Sequence, residues 1–250
     1  MTEQAPLPEP TAAAVTTPWG VRHILQDLIA FLRHPSVLEP AGLRKPNEWR
    51  TLGALYLLHI SVLLLIILPI TSGVQALLEL DPPDAFDKIS QAWLIPLTVV
   101  IAPVLEELAF RGWQSGRPRA LWLLGCTVTG SGALAVVMHR LAPPWTVAVL
   151  LATVAIAALG WFMLRKRATP KLFRQAYPWV FWLVALGFAG VHILNYGSPS
   201  PLTVLLVLPQ FWAGIMLGFT RQRLGLGASM LQHAGANAAV MALTLIPGMQ

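Results

Sequence analysis

Leu52–Leu78 reads LGALYLLHISVLLLIILPITSGVQALL, an apolar stretch without a single charged residue. Some 20 residues of helix, rising ~1.5 Å each, cross a hydrocarbon core of ~30 Å. Comparable runs recur at approximately Ala92–Gln114, Ala120–Met138, Thr146–Leu164, Pro178–Leu194, Leu202–Phe219 and Ala228–Ile246. They predict an all-α fold, a polytopic integral membrane bundle of about seven transmembrane helices. Composition agrees: of 250 residues, 56% are hydrophobic and 11% charged, against about 25% charged in a soluble domain. The runs leave no room for a sizeable soluble domain.

Upstream, Met1–Pro18 is rich in Ala, Pro and Thr and lacks the basic start and apolar core of a signal peptide. It reads as a disordered tail. Over residues 19–50, Ile24, Leu25, Leu28, Ile29 and Leu32 fall at helical spacing, followed by a hinge with Arg44, Lys45 and Arg50. This predicts an amphipathic interfacial helix and a basic hinge ahead of a membrane domain over 51–250. Trp93, Trp113, Trp122, Trp145, Trp161 and Trp179 stand near span ends, where amphipathic rings prefer the interface.

The formal net charge of +6 does not indicate nucleic acid, because the cations sit in the short connectors. Arg22–Arg50, Arg117 with Arg119, Arg165–Arg174, and Arg221 with Arg223 all fall on one side of an alternating path. That side is expected to be cytoplasmic, with the amino terminus inside and the carboxyl terminus outside. The compact length and lack of targeting signals point to a bacterial cell membrane. Cys126 is the single cysteine, so no disulfide framework exists.

Ionisable residues within spans cost about 2.5–3.5 kcal/mol each on insertion scales and ask for a reason. The second span carries Glu106-Glu107-Leu108-Ala109-Phe110-Arg111, the fifth His192, and the seventh His233 with Asn237. Glu107 and Arg111, four apart, stack on one helical face and neutralise each other. Glu106 points ~100° away and is free to face a cavity as a general base. His233 and Asn237 share a face and can offer donors to a developing oxyanion. His192, four residues after Phe188, would join from a neighbouring helix to orient a water, bind the oxyanion or ligate a metal. Any one of these can be structural, but together they would each need a separate structural excuse. His139 reads as interfacial, His59 as a packing or hydrogen-bonding residue, and Ser131 and Ser229 lack the setting of a serine nucleophile. No H-E-x-x-H occurs.

At these residues the chain resembles the CPBP family of intramembrane proteases, which contains the CAAX prenyl endoproteases and bacteriocin-processing or self-immunity proteins. E-E-x-x-x-R matches Glu106, Glu107 and Arg111; F-x-x-x-H matches Phe188 and His192; H-x-x-x-N matches His233 and Asn237. The resemblance covers roughly Leu94–Leu243. It implies that Glu106 activates the attacking water, His192 helps position it, and His233 and Asn237 stabilise the oxyanion. Glu107, Arg111 and Phe188 would support that geometry. It implies a CAAX-protease-like intramembrane endopeptidase of the glutamic type with no required cofactor, zinc entering only if the mechanism is metal-dependent. The expected partners are membrane lipid and a membrane-associated peptide or protein, lipidated or not. The rival readings are a non-catalytic immunity or scaffold protein of the same fold, and an ion-coupled transporter, which would need discontinuous helices in two corresponding halves. Two features set the chain apart. An extra pair of spans, Ala120–Leu164, lies between the first two motifs. The span limits also put His192 beyond the midplane, away from Glu106 and His233.

Overall fold

A computed structural model of the chain describes residues 21–87, 89–140 and 143–244. The tail over 1–18, Lys88 and the residues after 244 lie outside them. Every regular element among the described residues is helical. In chain order these are α1 (Val21–Arg33), α2 (Pro46–Val62), α3 (Leu68–Leu77), α4 (Gln91–Ile95), α5 (Ala102–Arg111), α6 (Pro118–Arg140), α7 (Pro143–Leu164), α8 (Lys171–Val191), α9 (Leu208–Arg223) and α10 (Leu226–Thr244).

Six continuous helical stretches are long and apolar enough to cross a membrane: Pro46–Leu77, Gln91–Arg111, Pro118–Arg140, Pro143–Leu164, Lys171–Asn195 and Pro201–Arg223. They match the first six predicted spans. The seventh, α10, has 19 residues, ~28 Å of helix, and is less apolar because it carries Gln232, His233 and Asn237. Those residues face protein: α10 is flanked by α2, α5 and α9, and Ser229, Gln232 and His233 are buried.

The first two spans are each interrupted by a π-helical turn, and the cause lies in the sequence. Leu68 N–H bonds Leu63 O and Ala102 N–H bonds Leu97 O, both reaching back five residues. Pro69 and Pro103 follow immediately and have no N–H to continue the series. Leu64 O and Thr98 O therefore lack the donor that the five-residue register would supply.

The connectors sort by end. At one end Leu38 N–H donates to Gln222 Oε1, Ala41 N–H to Arg223 O, Thr169 Oγ1 to Ser115 O, and Gln222 Nε2 to Gln114 O. This gathers the four basic connectors, as the alternating path predicts. At the other end Asp84 and Ala85 N–H both donate to Asn195 O. The helix expected upstream of the first span forms as α1, and its apolar face is used for packing on the bundle. Phe31 contacts Phe181 and Phe219, each ring at 5.1 Å between centroids, while Ile29 stays exposed. Burying Leu28 and Phe31 this way stabilises the docked helix by about 1.5–3 kcal/mol per side chain relative to water. Deeper in the bundle, α8 and α9 meet at Gly214, where a Cβ would stand 3.1 Å from the Ala185 backbone.

Candidate active site

α5 and α10 build the centre. On α5, Glu107 and Arg111 face inward and are fully buried, with Arg111 Nη1 on Glu107 Oε1 at 2.7 Å. The same oxygen lies 3.1 Å from His233 Nδ1, and Glu107 Oε2 accepts from Ser229 Oγ at 2.7 Å. Ser229 and His233 are four apart on α10, so one helical face supplies both donors. Three donors, one of them the Arg111 guanidinium, hold Glu107 as a fixed, paired anion, which a buried carboxylate requires.

Phe188 covers this pair from α8. The Arg111 guanidinium carbon stands 4.0 Å from its ring centroid, a cation–π contact in a dry setting. The same ring meets Phe110 edge-on at 5.2 Å and His233 at 5.8 Å. The phenylalanine of the F-x-x-x-H match is thus a lid on the ion pair.

Glu106 stands on the other side of α5, as its ~100° offset requires. Its side chain is 30% exposed, and Oε2 lies 3.7 Å from His233 Nε2 and 3.9 Å from His192 Nε2. These distances exceed a direct hydrogen bond and suit groups that share a water. Both imidazoles are oriented from behind. His192 Nδ1 is 2.7 Å from Phe188 O, an acceptor only, so Nδ1 carries the proton and Nε2 faces Glu106. His233 Nδ1 meets an anionic oxygen and is likewise protonated.

The expected separation in depth between His192 and Glu106 is absent. Phe188 of α8 meets Phe110 of α5 at 5.2 Å, and His192 and Glu106 each lie four residues, about one helical turn, further from the basic connectors.

Asn237 lies one helical turn beyond His233 on α10. Its Nδ2 donates to Thr98 O at 2.8 Å, the carbonyl orphaned by Pro103. One amide hydrogen is used there and the second is free of that bond. Three participants escaped the sequence reading. Ser229 was signalled only by its place four residues before His233. Thr98 contributes a carbonyl, which no side-chain pattern marks. Gln232 bridges Thr220 Oγ1 at 2.6 Å and His59 Nδ1 at 3.2 Å, giving His59 the hydrogen-bonding role expected of it. His139 is exposed at the end of α6, away from the cluster. Among the described residues no group of three His, Cys, Asp or Glu side chains is arranged to hold a metal ion.

The family model described as Type II CAAX prenyl endopeptidase Rce1-like matches residues 88–171 and 165–239. These segments contain every residue of the cluster. No curated protein and no solved structure matches the chain.

Proposed function

This chain belongs to the Rce1-like family of type II CAAX prenyl endopeptidases, and from that premise we propose that it is an intramembrane endopeptidase whose Glu106 activates the attacking water. The observation that carries the reading is the convergence of Glu106 Oε2 with the Nε2 atoms of His233 and His192, at 3.7 and 3.9 Å. A carboxylate with two oriented imidazoles around one small space holds and deprotonates a water.

The reaction runs as follows. Glu106 accepts a proton as the water oxygen bonds to the scissile carbonyl carbon, and the carbonyl electron pair moves to oxygen. The second hydrogen of Asn237 Nδ2 and, in its doubly protonated form, His233 Nε2–H stabilise that oxyanion. Glu107 holds His233 through Nδ1, while Arg111, under Phe188, fixes Glu107. The tetrahedral centre then collapses, the carbon–nitrogen bond breaks, and Glu106 returns its proton to the departing amine. Removal from bulk water strengthens each of these contacts.

The donor set bears on zinc as well. Glu106, His192 and His233 are ligand types zinc accepts, but among the described residues no three such side chains are arranged to hold a metal ion. The roles above are complete without it, and zinc-free turnover is the reading proposed. The substrate is a membrane-associated peptide or protein, with or without a lipid anchor, and the end bearing the basic connectors is cytoplasmic, in a bacterial cell membrane.

The test is to incubate the full chain in lipid vesicles with membrane-tethered peptides, prenylated and unprenylated, and to identify products by mass spectrometry. A new amino terminus within a tethered peptide supports the reading. A correctly folded protein that cleaves no peptide of the panel weighs for the non-catalytic alternative.

A further inference from the structure

The extra hairpin, α6 with α7, packs almost wholly on itself, Gly130 lying against Thr153 and Gly160 against Trp122. Between α6 and α5 this leaves a cavity of about 840 Å³ that Glu106, His192 and His233 do not line. Its walls include Leu105 and Leu108 of α5 and Leu123 of α6, while Arg117, Arg119 and Arg221 line it at the end of the basic connectors. From Arg119 to Thr127, both on its wall, α6 rises ~12 Å.

Three arginines face one carboxylate in this lining, that of Glu39. Arg117 reaches Glu39 at 3.3 Å, with both side chains well exposed. Arg119 lies over the Trp161 ring at 4.7 Å, which orients the cation without neutralising it. Arg221 is the most telling: it is 8% exposed, anchored by Nε on Arg111 O at 3.0 Å, and among the described residues no carboxylate makes an ion-pair contact with it. A cation so buried is costly unless an anion shares its site.

We infer that the cavity between α5 and the α6–α7 hairpin is a binding site for an anionic phospholipid, its headgroup on Arg117, Arg119 and Arg221 and its acyl chain along Leu105, Leu108 and Leu123. Charge complementarity selects the anionic head, and basic pockets between membrane helices bind such headgroups. The apolar wall above the arginines would be unused by a free anion.

The full chain in detergent is titrated with phosphatidylglycerol and, separately, with phosphatidylcholine, and bound lipid is counted by native mass spectrometry. One saturable phosphatidylglycerol, preferred over phosphatidylcholine, is expected. Arg117→Gln with Arg119→Gln should weaken it roughly 25-fold, about fivefold per cation. Arg44→Gln with Lys45→Gln, exposed cations that do not line the cavity, should leave it unchanged. Arg221→Gln should weaken it too, and if that variant fails to fold the surface pair carries the test. Equal binding of phosphatidylcholine, or unchanged affinity in the Arg117 and Arg119 variant, overturns the assignment. So does displacement of the lipid by millimolar inorganic phosphate, which marks a simple anion site, or by a peptide with a free carboxyl terminus, which marks a substrate subsite.

Discussion

His233 joins the two carboxylates of α5: its Nδ1 lies 3.1 Å from Glu107 Oε1 and its Nε2 3.7 Å from Glu106 Oε2. One imidazole thus ties a buried structural anion to a partly exposed one. Adjacent glutamates acquire different surroundings because successive helical residues diverge by ~100°.

Glu107→Ala should be the most destabilising change in the site. It strands the Arg111 guanidinium, which is fully buried, and breaking a buried pair costs about 3–5 kcal/mol. Thermal unfolding in detergent measures the loss. A midpoint equal to wild type would show that Glu107 and Arg111 are not paired as described.

Ser229→Ala removes one hydrogen bond to a charged acceptor and should cost about 1.5–3 kcal/mol of stability. Turnover should persist, because Ser229 only steadies Glu107. Complete loss of cleavage in a folded Ser229→Ala protein would contradict this purely supporting role.

Asn237→Ala should slow cleavage by about 10²–10³, the usual effect of losing one oxyanion donor. It also leaves Thr98 O unpaired, at about 1–3 kcal/mol. Pro103→Ala restores a backbone N–H five residues after Thr98. The stability cost of Asn237→Ala should therefore shrink in the Pro103→Ala background, while the loss of turnover should not. A double-mutant cycle of unfolding free energies with no coupling would reject the link between Pro103 and Asn237.

Gly214→Val should impair assembly of α8 against α9, since its Cβ alone would stand 3.1 Å from the Ala185 backbone. The expected readout is poor recovery of folded protein. Gly187→Ala, on α8 where a Cβ meets nothing within 4 Å, should be tolerated.

The bundle was legible in the sequence because lipid imposes long, nearly charge-free helices, and six runs map directly onto stretches of the structure. The seventh run forms as the helix α10, but with Gln232, His233 and Asn237 it is less apolar than the other six. The pairing of Glu107 with Arg111 followed from spacing alone. Three things did not. The π turns before Pro69 and Pro103 depend on which carbonyl loses its donor, and that consequence appears only when Asn237 arrives from α10. The meeting of Glu106 with His192 depends on the packing of Phe188 against Phe110, residues far apart in sequence. The commitment of Leu28 and Phe31 to Phe181 and Phe219 depends on tertiary packing, since the same apolar face would equally suit a lipid surface.

The most direct measurement compares cleavage of a membrane-tethered peptide by wild type and Glu106→Gln, each with and without a strong chelator, alongside unfolding curves for both proteins. Turnover should fall about 10²–10⁴ in Glu106→Gln, with near-wild-type unfolding because Glu106 is partly exposed, and chelation should have no effect on the wild type. Cleavage that survives in Glu106→Gln, or that is lost on chelation and restored by zinc, would contradict Glu106 acting as a zinc-free general base.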